Sequence, residues 1–143
     1  MSRLLLPLLL AVATCLAGCS NGRGSEAATD RYCLALDLRP DSELIKEYRR
    51  LHSKEGMWKE IPKGIREAGC LDMEIYLVDN HMFMIVEIPE GENLDRVWEE
   101  MGKKERQGEW AEYMLKFQQP LDGHGDEVKW VLMDKVYDLD DHF

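Results

Sequence analysis

Two side chains one helical turn apart carry the strongest chemical signal in the sequence. Tyr48 and His52 fall on the same stripe as Leu44, Ile45 and Leu51, downstream of Asp41 and Ser42. An α-helix there turns a phenol and an imidazole together toward the interior. Burying a titratable ring costs desolvation of its charged form unless something uses it there. Because imidazole titrates near neutrality, His52 is a candidate general acid/base, with a phenol beside it to orient it. A neutral core histidine bonded to a backbone carbonyl satisfies the same pattern. Trp110 has a similar double reading: a core-packing indole, or a flat wall for the C–H face of a ring-shaped ligand.

Other chemistries lack their signatures. There is no GxGxxG, P-loop, CxxC, GxSxG or HExxH. His81, His124 and His142 stand apart from any second imidazole or thiol at metal-ligand spacing, so each reads as a solvated surface ring and no metal is expected. Glu47 and Glu74 could act as accessory carboxylates, although solvated or edge positions suit both. The chain has 143 residues, 18 Lys plus Arg against 28 Asp plus Glu, and a formal charge of −10. That balance argues against a nucleic-acid partner, which needs clustered cations.

The elements that must position these residues follow from periodicity. Arg31 to Leu38 reads as a strand stopped by Pro40, followed by the Tyr48/His52 helix capped by Asp41 or Ser42. Trp58, Ile61, Ile65 and Ala68 form a second helical stripe ending at Gly69. Leu71 to Val78 alternates as a half-buried strand, Asp79-Asn80-His81 turns, and Met82 to Ile88 returns. Asn93 caps a helix carrying Leu94, Val97, Trp98 and Met101. A last helical stripe holds Trp110, Tyr113, Met114 and Phe117, and Val128 to Leu139 is the expected final strand. The order is β-α-β-β-α-β with each crossover swollen to a helix pair. It predicts an α+β ferredoxin-like sandwich, a four-stranded antiparallel sheet with helices on one face. The other face needs cover, and a homodimer through the sheet, of the dimeric α/β-barrel type, supplies it.

The first 18 residues are different material. Arg3 precedes an uncharged run from Leu4 to Leu16, the length of a signal-peptide core and too short to span a bilayer comfortably. Leu16-Ala17-Gly18-Cys19 resembles the lipobox of bacterial lipoproteins, in which the cysteine is lipidated. The expectations are a signal at 1–18, a lipidated Cys19 with a flexible tether through residue 30, a domain over 31–139 and an acidic tail at 140–143. An ordinary secretory signal cleaved elsewhere in the Ala-rich stretch is the alternative. Ser20 after Cys19 goes with outer-membrane sorting, facing the periplasm. Of the remaining cysteines, Cys33 and Cys70 could bridge in that compartment, but nothing in the spacing forces them together, and two buried thiols are preferred.

Several strings together resemble the L-rhamnose mutarotase family: Arg31 to Leu38 (RYCLALDL), Glu47 to Ser53 (EYRRLHS), Asp72 to Tyr76 (DMEIY), Phe83 to Glu87 (FMIVE), Gln118 to Leu121 (QQPL) and Lys129 to Met133 (KWVLM). They occur in the family's order over nearly all of 31–139. The resemblance implies a ferredoxin-like fold, dimerisation through the sheets, no cofactor, and interconversion of the α and β anomers of L-rhamnose or a related deoxysugar. It implies Tyr48 as a sugar-binding phenol, His52 as proton donor and Trp110 as the aromatic that binds sugar. Met73 stands where enterobacterial members have a substrate tyrosine, and Ala111 where they have a second tryptophan. Those two departures motivate the alternative of a non-catalytic sugar-binding lipoprotein on the same fold. A small monooxygenase would share the fold class, but no residue favours it.

Overall fold

The computed structural model describes residues 28–143. The expected signal, Cys19 and most of the tether lie outside the described residues. Strand β1 (Thr29–Leu38) starts inside the expected tether, with Thr29 and Asp30 already paired to Pro89 and Ile88. Helix α1 (Ser42–Leu51) begins where the sequence sets its cap: the Asp41 carboxylate accepts from the backbone N–H groups of Glu43 and Leu44, both at 2.9 Å. Helix α2 (Glu60–Glu67) stops at Gly69, whose φ of +99° suits a residue without a Cβ.

Strands β2 (Asp72–Val78) and β3 (His81–Pro89) form a hairpin with a two-residue turn, Asp79 taking a left-handed φ of 52°. Leu38 and Asn80 dock this turn on β1, through Leu38 N–H to the Asn80 carbonyl and Asn80 Nδ2 to the Leu38 carbonyl. Helix α3 (Leu94–Gly102) is capped by Asn93, which accepts from the Arg96 N–H at 2.9 Å. Helix α4 (Gln107–Met114) follows a left-handed Arg106.

The fourth edge departs from expectation. In place of one strand over Val128 to Leu139, two short segments, β4 (Gln118–Gln119) and β5 (Val131–Leu132), lie end to end along β1. β4 pairs with Asp37 and Leu38, β5 with Leu34 and Ala35, and the chain between them leaves the sheet as an excursion over 120–130. One more bond, Met133 N–H to the Cys33 carbonyl, continues the ladder. Beyond it Asp134 and Lys135 break the apolar alternation, and the chain peels away before a single 3-10 turn at Asp140–His142.

The sheet order β2-β3-β1-β4 is that of the ferredoxin-like α+β sandwich. Alternation sends Leu34, Leu36 and Leu38 of β1, with Met82, Met84, Val86 and Ile88 of β3, against the four helices, where they form the core. The opposite face carries Cys33, Ala35 and Asp37 beside Phe83 and Ile85.

Candidate active site

Helix α1 holds Tyr48 and His52 on its inner face as the i, i+4 spacing requires, and their rings stack at 4.0 Å between centroids. His52 is the C-cap residue of the helix. Its Nδ1 lies 2.9 Å from the Tyr48 carbonyl oxygen. A carbonyl only accepts, so Nδ1 carries the hydrogen and donates it. The neutral ring therefore presents Nε2 with a bare lone pair, and Nε2 has no protein partner among the described residues. Burial lowers the His52 pKa, partly offset by the bond to the Tyr48 carbonyl. The ring is accordingly a neutral base at physiological pH.

The orientation of this imidazole is fixed by a closed circuit of aromatic rings. His52 meets Trp110 edge-on at 5.4 Å, Trp110 meets Trp58 at 5.1 Å, and Trp58 lies nearly parallel to Tyr113 at 5.9 Å. Tyr113 meets Phe117 at 5.5 Å, and Phe117 returns to Tyr48 at 6.1 Å. The Arg106 guanidinium sits 3.9 Å over Trp58. Each such pair contributes about 0.5–1.5 kcal/mol beyond area burial, so no ring in the circuit turns without disturbing two neighbours.

Trp58 reaches its place because residues 53–57 fold back on the end of α1. Ser53 Oγ donates to the Arg50 carbonyl at 2.7 Å and accepts from the Gly56 N–H at 3.1 Å. A Cβ on Gly56 would stand 2.0 Å from the Arg50 carbonyl oxygen. Only glycine permits this approach.

A cavity of about 420 Å³ opens among these elements, a volume suited to a small ligand. Tyr48, His52, Trp110 and Met73 all line it, so the four residues singled out in the sequence face one space. Ala111 lines it too, and its single methyl leaves open the position where a larger side chain would project. Two smaller hollows, about 320 and 240 Å³, also have His52 in their walls. Tyr48 is buried, which pushes its pKa well above the ordinary phenol value. The Gln118 amide, on the same cavity wall, moderates the shift. The phenol therefore stays protonated and serves as a donor.

Sequence reasoning had assigned no role to several wall residues. Gln107 and Gln118 bring amides, Trp98 and Met101 come from α3, and Lys129 and Trp130 arrive on the excursion between β4 and β5. Gln107 was detectable, since it precedes Trp110 by three residues and so shares its helix face. Lys129 and Trp130 were not, because the expected strand would have placed them in the sheet.

Other expectations land elsewhere. Glu47 pairs with Arg50 at 2.7 Å, and Glu74 accepts from the Tyr76 hydroxyl on the open sheet face. His81 is exposed as expected but begins β3 instead of lying in the turn, and its Nδ1 lies 2.8 Å from the carboxylate of buried Asp37. Cys33 and Cys70 are free thiols on opposite faces of the sheet layer, Cys70 buried and Cys33 half-buried beside Met133. Among the described residues no three His, Cys, Asp or Glu side chains are grouped to hold a metal, and no helix is long and apolar enough to cross a membrane.

The family model for L-rhamnose mutarotase matches residues 31–139. The chain belongs to the L-rhamnose mutarotase family. Family membership makes it a sugar mutarotase of the isomerase type. It is 36% identical over 115 residues to a UPF0734 protein of Dictyostelium discoideum, covering 76% of this chain and 89% of that protein. It is 29% identical over 112 residues to an L-fucose mutarotase of Xanthomonas campestris, covering 76% and 87%. A crystal structure of an L-rhamnose mutarotase from Formosa agariphila shares the fold at a TM-score of 0.55 and 13% identity, covering 77% of this chain and 98% of that one.

Proposed function

We propose that the protein interconverts the α and β anomers of a 6-deoxy-L-hexose, L-rhamnose or L-fucose, with His52 as the proton-transfer residue. The observation that carries this reading is the bare Nε2 of a neutral His52 in a cavity walled by Tyr48, Trp110 and Met73. In the opening step Nε2 takes the proton of the anomeric hydroxyl, O1 becomes a carbonyl oxygen, and the C1–O5 bond breaks. O5 takes a proton from the Tyr48 hydroxyl or from water. Rotation about C1–C2 and closure on the other face return both protons, so nothing is consumed. A positioned acid/base of this kind contributes about 10²- to 10⁴-fold, enough for a reaction that already runs unaided in water. Trp110 and Met73 supply apolar surface for the C–H face and the deoxy carbon of the sugar.

Saturation-transfer NMR between the two anomers of each sugar tests the reading. Exchange should accelerate with the wild type and return to the spontaneous rate with His52→Ala. Unchanged exchange across several 6-deoxyhexoses refutes it, and calorimetric binding without acceleration would select a sugar-binding protein instead.

Two further parts of the proposal concern assembly. Tyr76, Phe83, Ala35 and Val131 share one register row on the open sheet face, with Ile85, Cys33 and Met133 beside them. The Arg31–Glu87 and His81–Asp37 pairs border this apolar band. A second copy of the chain covers such a band by two-fold packing, and Phe83→Glu should convert a dimer to a monomer in light scattering. Lipid on Cys19 rests on the Leu16-Ala17-Gly18-Cys19 motif. Detergent-phase partitioning that Cys19→Ser abolishes would support it.

A further inference from the structure

Four local features converge on one buried amide. The left-handed Arg106, at φ 59°, turns the chain so that α4 opens with Gln107 facing inward, 7% exposed. Gly64 of α2 leaves the gap that receives it, since a Cβ there would stand 2.7 Å from Gln107 Nε2. Nε2 donates to the Ile61 carbonyl at 2.8 Å. That bond fixes the amide, because its opposite rotamer would set two carbonyl oxygens against each other. The other end, Oε1, accepts from no protein group among the described residues. No fully buried side-chain nitrogen or oxygen among them lacks a partner, so Oε1 keeps some exposure, and Gln107 is one of the residues that line the His52 cavity.

We propose that Gln107 is a specificity residue of the sugar site, its Oε1 accepting a hydrogen bond from one ring hydroxyl of the bound deoxysugar. The inference rests on the mutarotase reading and deepens it. The other side-chain groups singled out in this cavity offer little competition for that role. Tyr48, Lys129 and the indole N–H groups donate, and His52 Nε2 is engaged at the anomeric centre. Gln118, the second amide of the wall, has among the described residues no backbone bond that fixes which of its ends faces the sugar. A fixed acceptor in a largely apolar wall discriminates by configuration, because only a hydroxyl directed at it satisfies both groups.

The test crosses variants with substrates. Anomer-exchange kcat/KM is measured for L-rhamnose, L-fucose and their 2-, 3- and 4-deoxy analogues, with wild type and with Gln107→Met, which keeps the length and removes the acceptor. Gln107→Asn, whose amide is too short to span from Ile61 to the cavity, repeats the test where the methionine variant does not fold. Loss should be about five- to tenfold for sugars bearing the recognised hydroxyl. The loss should vanish for the single analogue lacking that hydroxyl. An equal loss for every analogue, as a merely structural role predicts, overturns the proposal, and so does no loss for any. If the wild type itself accelerates none of the sugars, the mutarotase reading fails and the proposal with it. Wild-type acceleration with a uniform loss removes Gln107 alone.

Discussion

Gly56→Ala places one methyl group where the backbone already stands. Its Cβ would lie 2.0 Å from the Arg50 carbonyl oxygen, 2.9 Å from the Arg50 carbonyl carbon and 3.1 Å from Leu51 Cα. All three atoms belong to the backbone of the last turn of α1, so no rotamer change relieves the contact, and the loop must retreat by more than an ångström. Overpacking of this kind costs about 1–3 kcal/mol. Retreat also loosens the bonds from the Gly56 N–H to Ser53 O and Ser53 Oγ, at 3.2 and 3.1 Å. With about 1 kcal/mol more for those, the loss is about 2–4 kcal/mol, or on the order of 10 °C in Tm for a domain of this size.

Gly108→Ala is the internal control. Nothing lies within 4 Å of the point a Cβ would occupy there and its φ is not positive, so alanine on the exposed side of α4 should stabilise by up to about 1 kcal/mol. The assay is thermal denaturation of both variants, with anomer exchange measured well below each midpoint. Gly56→Ala should also lose activity while folded, because the displaced loop carries Trp58, the ring that wedges Trp110 against His52. A Gly56→Ala midpoint within about 2 °C of wild type, or a Gly108→Ala loss as large as that of Gly56→Ala, would refute the reasoning.

The pH profile of catalysed exchange follows from the neutral His52. Burial sets its pKa below the ordinary 6.5, so activity should be flat above that value and fall as pH drops, with a midpoint below 6.5; a midpoint above it contradicts a neutral base. Stability carries the same sign: the unfolded chain binds the proton first, so stability is full above 6.5 and is lost as pH falls through the folded pKa, a slope that His52→Gln should flatten. Tyr48→Phe keeps the buried ring and removes the hydroxyl that serves O5, so exchange should slow by on the order of 10²-fold with the melting point close to that of wild type; exchange kinetics and calorimetry read both, and unchanged exchange would deny the hydroxyl its part. In a folded Phe83→Glu monomer, with the sheet face uncovered, a thiol reagent should label Cys33 well before Cys70, whose burial also raises its thiol pKa. Equal labelling rates by mass spectrometry would contradict the two environments.

What was legible in the sequence was what is local and periodic. Asp41 and Asn93 cap helices by bonding N–H groups two and three residues on, and Tyr48 and His52 share a face because 3.6 residues make a turn. The thin parts of the fold depend on distant pairing. β4 and β5 are two residues each, held on the edge of β1 by bonds whose partners lie some eighty to a hundred positions away, and no local pattern encodes where such pairing fades. The His81–Asp37 pair is of the same kind. Gln107 fell between the two cases: its helix face was readable, but the meaning of a polar residue on that face depends on Gly64 and Ile61 across the α2–α4 contact.

The sheet divides the molecule's tasks by residue parity. Leu36 and Met84 face the cavity, while Ala35, Phe83 and Tyr76 in the adjoining pleat face away from the helices. A slip of β1 by one residue against β3 would carry Leu34, Leu36 and Leu38 outward and bring Cys33 and Asp37 under the helices, so burial itself enforces the register. Strict alternation also separates the two surfaces chemically. A charge placed at Phe83 acts on the open face through a side chain that has no path to His52 except through the strands themselves. Loss of activity in a folded Phe83→Glu monomer would therefore mean that a second copy completes the cavity, and retained activity would mean that each chain holds a whole site.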